Sequence, residues 1–85
     1  MNLIDWMPKA AKQLRKIDPL AARKIRRAVT DELLDLETAR NVKRLVNHKY
    51  DYRLRVGNYR VFFDFDDEVR IVSIEEVKKR DERTY

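Results

Sequence analysis

Apolar and polar residues alternate on both sides of Gly57-Asn58. A pair of this kind inside alternating flanks marks a two-residue hairpin turn. The turn predicts strands over 50–56 and 59–65, pairing Val56 with Tyr59, Arg55 with Arg60, Leu54 with Val61 and Arg53 with Phe62. One face then carries Tyr52, Leu54, Val56, Tyr59, Val61 and Phe63 and reads as core. The opposite face carries Asp51, Arg53, Arg55, Arg60 and Phe62.

Upstream, Leu3 to Trp6 reads as a short first strand. Met7, Ala10, Ala11, Leu14 and Ile17 keep helical spacing and predict a helix over 7–17, with Pro8 in its first turn and Lys9, Lys12, Arg15 and Lys16 turned outward. Asp18-Pro19 supplies the N-cap and first residue of a second helix over 18–36. Its apolar stripe is Ala22, Ile25, Ala28, Val29, Leu33 and Leu36. Residues 37–49 have little periodicity and read as a connector. Asp66-Asp67-Glu68 is a polar turn, and 69–74 is a further strand. Val69, Ile71, Val72 and Ile74 are apolar on both parities, which leaves the register of that strand open. Residues 78–85 form a charged tail. The order β-α-α-β-β-β predicts one α+β domain over 1–85: a small antiparallel sheet with an N-terminal helix pair packed on its apolar face.

Charge sharpens the picture. The net charge is +5 and the pI about 9.7, which suits a nucleic acid or an acidic protein as partner. The excess is carried by residues 1–49, while 50–85 hold eight Lys and Arg against nine Asp and Glu. The strand arginines therefore matter by placement rather than by bulk charge. Like charges directly across a strand pair repel. Arg55 facing Arg60 is the arrangement of a site held for an anion such as a phosphate. The chain has no cysteine, so disulfides and thiol chemistry are excluded. It lacks both an apolar run long enough to span a bilayer and a signal-like first segment, and a cytoplasmic setting away from membranes is expected. No Cys or His cluster suggests a metal, and no glycine-rich loop suggests a nucleotide; neither metal nor cofactor is expected.

Over nearly its whole length the chain resembles the RelE toxin family, within the RelE/ParE superfamily of toxin–antitoxin systems. The resemblance begins with Ile4-Asp5-Trp6 and Lys9-Ala10-Ala11-Lys12-Gln13-Leu14. Its most specific part is Tyr52-Arg53-Leu54-Arg55-Val56-Gly57-Asn58-Tyr59-Arg60-Val61-Phe62-Phe63. It closes with Lys79-Arg80-Asp81-Glu82-Arg83-Thr84-Tyr85. The resemblance implies a type II toxin that cleaves mRNA in the ribosomal A site without metal, by attack of the ribose 2′-hydroxyl on the adjacent phosphate, and so stops translation. It also implies a cognate antitoxin partner, with oligomers formed through the antitoxin complex. Arg53 stands where the family has a catalytic lysine. Arg60 matches the arginine on the next strand, Arg80 the arginine after the last strand, and Tyr85 the C-terminal tyrosine that orients RNA. Asp51 replaces a second lysine of the family and becomes a candidate proton acceptor, because an arginine stays protonated.

Each candidate also has a plainer reading. Arg53, Arg55 and Arg60 could form a solvated sheet face paired with Asp51 and Asp64. Arg55 could be structural or antitoxin-binding rather than an RNA contact. Phe62 shares the arginine face and is a candidate stacking surface. Arg23, Arg26 and Arg27 read first as the wet side of the second helix and second as a grip on ribosomal RNA phosphates. Lys79 and Arg83 are RNA-binding candidates in the tail, where Lys79 could take the place of Arg80. His48, the only histidine, is a minor candidate for proton transfer. The competing functions are a ParE-like inhibitor of DNA gyrase without nuclease chemistry and an inactive RNA-binding relative.

Overall fold

The hairpin forms around Gly57, whose φ of 56° lies in the left-handed region that glycine adopts without strain. The computed structural model describes residues 1–80. Within them lie β1 (Leu3–Trp6), α1 (Pro8–Lys16), α2 (Pro19–Leu33), β2 (Val42–Arg44), β3 (Tyr52–Val56), β4 (Tyr59–Asp66) and β5 (Ile71–Lys79). The expected register holds in full, with Val56 opposite Tyr59, Arg55 opposite Arg60, Leu54 opposite Val61 and Arg53 opposite Phe62. The α+β class and the helix pair packed on the apolar sheet face also hold.

The sheet is mixed rather than purely antiparallel. Its strand order is β1-β5-β4-β3-β2, and β1 runs parallel to β5, with Ile4 opposite Val72 and Trp6 opposite Ile74. The connector also contributes a strand. In β2, Val42 pairs with Leu54 and Lys43 with Arg53. Three residues give too short a stretch for periodicity to reveal, and Lys43 and Arg44 suit an edge that must resist further pairing.

Helix boundaries follow local chemistry. The Asp18 carboxylate accepts the Ala21 amide at 3.1 Å, and Pro19 opens the helix, as the sequence requires. Helix α2 stops at Leu33, short of the expected 36. Asn2 takes over its last carbonyls: the Asn2 amide donates to Leu34 O at 2.8 Å and its Nδ2 donates to Leu33 O at 3.1 Å. The final strand starts two residues later than expected and runs further. The Asp66 carboxylate accepts the Glu68 and Val69 amides, which holds them in the turn and leaves Val69 exposed. Arg70 then completes the turn at φ 60°.

The core lies between the helices and one face of the sheet. Ala10 and Leu14 come from α1, and Ala22, Ile25, Val29 and Leu33 from α2. They meet Leu54, Val61, Phe63, Val72, Ile74 and Val77 from the strands. Beyond Trp6, where β1 ends, Gln13 of α1 accepts the free Val77 amide at 2.7 Å, so α1 covers that part of the β5 edge. Phe63 is fully buried on the central strand. Phe63→Ala should cost about 3–5 kcal/mol, as large aromatic truncations in cores do. Urea denaturation followed by circular dichroism measures this, with an expected fall in midpoint at unchanged slope.

Candidate functional site

The sheet face turned away from the helices follows from the register. Directly opposed residues share a face, so Lys43, Arg53, Phe62 and Glu76 form one row across β2 to β5. Arg55, Arg60 and Lys78 form the next row toward the hairpin. Arg80 joins this end, its amide donating to Asn58 O at 2.6 Å. Arg53 and Arg60 are half-buried, whereas Arg55 and Lys78 are exposed. The Arg53 Nε is buried without a hydrogen-bond partner among the described residues. Burial, then the charges of Arg60 and Arg55, push the Arg53 guanidinium below its usual pKa. All three causes work against the cation, so an anion bound here would relieve them.

Phe62 departs from expectation. It is 7% exposed rather than open to a ligand. The 45–51 loop folds back through a Leu45 amide donating to Asp51 O at 2.8 Å, and lays two rings over it. His48 stacks on Phe62 with centroids 5.2 Å apart and planes 13° apart, and Tyr50 tilts against it at 5.7 Å. The Tyr50 amide donates to His48 Nδ1 at 3.1 Å, which fixes the neutral ring as the Nε2–H tautomer. Burial first, and then a hydrogen bond with Glu76, raise the Tyr50 phenol above its usual pKa. Glu76 also meets Lys9 at 3.5 Å.

Beyond this aromatic cover the face turns acidic. Asp51, Asp64, Asp66, Asp67, Glu68 and Ser73 line a hollow there. Asp51 donates its amide to Asp64 Oδ1 at 2.8 Å. Four strand positions, roughly 13 Å, separate Asp51 from Arg55, so the structure groups Asp51 with the carboxylates and not with Arg60 and Arg80. Half-buried Glu75 is raised in pKa by burial, then by the charge of Asp64 and a hydrogen bond with it, with Asp5 adding to the rise and Lys49 opposing it.

Several other expected site residues are also placed. Lys79, the tail candidate that could take the place of Arg80, lies opposite Tyr59 and so has core-face parity, away from the arginines. The cause is an irregularity in β5, where Phe62 pairs with Glu76 but Phe63 pairs with Ile74. Arg23, Arg26 and Arg27 are exposed on α2, on the opposite side of the molecule from the arginine row. Arg83 and Tyr85 lie outside the described residues. Sequence reasoning missed Lys43 and Lys78. Lys43 sits in the strand hidden within the connector. The signal for Lys78 was available in the three-residue spacing of Ile74 and Val77.

The sequence pattern of a family described as the ParE toxin of type II toxin–antitoxin systems, parDE, matches residues 4–84. The chain belongs to this RelE/ParE toxin superfamily. Solved structures share the toxin's fold. The RelBE2 toxin–antitoxin complex of Mycobacterium tuberculosis is 25% identical with a TM-score of 0.74, covering 93% of this chain and 98% of that one. The isolated Escherichia coli RelE toxin is 19% identical with a TM-score of 0.80, covering 99% and 89%. The RelE-RelB complex of Pyrococcus horikoshii is 22% identical with a TM-score of 0.71, covering 95% and 97%. A sequence comparison with curated proteins gives no match. No helix of the toxin's described residues is long and apolar enough to cross a membrane.

The raised carboxyl at Glu75 has a pH consequence. Its folded pKa lies above its unfolded one, so the native state binds the extra proton between the two values. Stability then falls as pH rises from about the unfolded carboxylate value through the folded one, and the penalty persists above. Glu75→Gln keeps a donor toward Asp64 and removes the titration. Thermal melts of both proteins across mildly acidic to neutral pH should show the variant's advantage growing with pH; a pH-independent difference would contradict the assigned cause.

Proposed function

We propose that this toxin is a metal-independent endoribonuclease that cuts mRNA on the ribosome by 2′-hydroxyl attack. The observation that carries the reading is the row of Arg55, Arg60 and Lys78 beside Lys43 and Arg53 on one sheet face. Five cations gathered there repel one another in the free protein and suit the charge that develops on a phosphate during in-line displacement. Arg60 is the best placed, half-buried on the central strand where its backbone is fixed from both sides. Arg53 and Arg80 hold the phosphate with it, and Tyr85 positions the RNA. The cytoplasm is the compartment this substrate implies.

An antitoxin is the second partner in this reading. The M. tuberculosis and P. horikoshii relatives are toxin–antitoxin complexes, and the cationic face is one that an acidic chain would cover. A specific observation also favours a second function. The matching family is described as ParE, and a ParE-like protein would inhibit DNA gyrase with no bond cleavage.

Primer extension on mRNA in a translating extract separates the two readings. Cuts at A-site codons are expected, and Arg60→Ala should lower their rate by about a hundredfold, corresponding to roughly 3 kcal/mol of lost transition-state stabilisation. Intact mRNA together with blocked gyrase supercoiling would establish the ParE-like reading instead.

A further inference from the structure

The spacing of core residues in β5 brings one more basic side chain to the site. Val72, Ile74 and Val77 all reach the core. Alternation can bury the first two together but not the third, because two residues separate Ile74 from Val77. The strand accommodates the extra residue as a bulge at Glu75, between the Phe63 pairing with Ile74 and the Phe62 pairing with Glu76. Had the register of Phe63 and Ile74 run on unbroken, Val77 would stand opposite Arg60 and Lys78 would fall on the helix side opposite Tyr59. The bulge sets Lys78 opposite Arg60 instead. Bulges re-aim side chains in this way beside active sites.

We propose that Lys78 is the general acid that protonates the leaving 5′-oxygen, an inference that rests on the ribonuclease reading above. The charged groups facing Lys78 are Arg60 opposite it on β4, Arg55 one strand further on β3, Glu76 two positions earlier on its own strand and Arg80 just past that strand's end. Glu76 is engaged by Tyr50 and Lys9. Guanidinium groups bind a phosphate but do not release a proton; an ammonium does both. Opposed residues bring their Cβ atoms to about 5 Å, so a phosphate held on Arg60 lies within reach of the exposed, pliable Lys78 side chain.

In the step, the 2′-oxygen forms its bond to phosphorus and the bond from phosphorus to the 5′-oxygen breaks, its electron pair remaining on the 5′-oxygen. A proton passes from Lys78 Nζ to that oxygen. The 2′-hydroxyl proton leaves to solvent water, and the Lys78 amine regains a proton from solvent. The products are a 2′,3′-cyclic phosphate and a 5′-hydroxyl.

The test uses the full-length toxin on ribosome-bound mRNA carrying either an ordinary linkage or a bridging 5′-sulfur at the cleavage site. A thiolate leaves without needing a proton. Lys78→Ala should slow cleavage of the ordinary linkage by about a hundredfold, the usual scale for losing a proton-transfer group, and should cut the sulfur linkage close to the wild-type rate. Lys78→Arg keeps the charge and should remain slow on the ordinary linkage. Arg60→Ala should be slow on both linkages, and Lys12→Ala, exposed on α1 on the other side of the sheet, should be fast on both. Wild-type cleavage of the ordinary linkage by Lys78→Ala overturns the assignment, as does a defect that persists on the sulfur linkage. Wild-type toxin that cuts neither substrate overturns the ribonuclease reading and this assignment with it.

Discussion

Burial of Val61 and Phe63 on the central strand is the constraint around which the other elements are arranged. Both side chains are fully buried, and β4 is paired on both sides, with β3 and β5. The helices must cover the face these residues define, or a large apolar area would remain in water. Because strand residues alternate, fixing Val61 and Phe63 inward sends Arg60, Phe62 and Asp64 outward in that order. The outer face therefore inherits a cation, a ring and a carboxylate along one strand, and the neighbouring strands extend each zone sideways.

That segregation gives the outer face two electrical ends. Cations gather at the hairpin and carboxylates at the opposite end, with His48, Tyr50 and Phe62 between them. Arg55 and Arg60 stand four strand positions, roughly 13 Å, from Asp51 and Asp64, beyond the screening length in physiological salt. A polyanion is drawn to one end and repelled from the other, so such a surface orients its ligand as well as attracting it.

Much of this was legible in the sequence. Gly57-Asn58 and the flanking alternation specified the hairpin register, because a slip of one residue would have put Arg60 in the core. Asp18-Pro19 marked the start of α2 for reasons contained in those two side chains. Most of the differences turn on partners distant in the chain. The end of α2 depends on Asn2, some thirty residues earlier. The parallel pairing of β1 depends on residues 71–74. The cover on Phe62 depends on a loop whose ring contacts have no periodic signature. The outward placement of Lys78 depends on the bulge at Glu75, which the odd spacing of Ile74 and Val77 requires. Within the site, the placement of the strand arginines was readable from alternation, that of Lys78 from the Ile74–Val77 spacing, and that of Lys43 was hidden in a strand of three residues.

The parallel pairing of Leu3–Trp6 with Ile71–Ile74 also sets the order in which the molecule can assemble. The first strand made is held by nearly the last, so the sheet cannot close while the chain is still short. Contacts of such long sequence separation are slow to form, because a large loop must be closed before they are rewarded. Lys78 and Arg80 follow that last strand's core residues and leave the synthesising machinery later still. The second row of cations, in which Lys78 stands opposite Arg60, is therefore complete only after residues 71–80 have been made and paired.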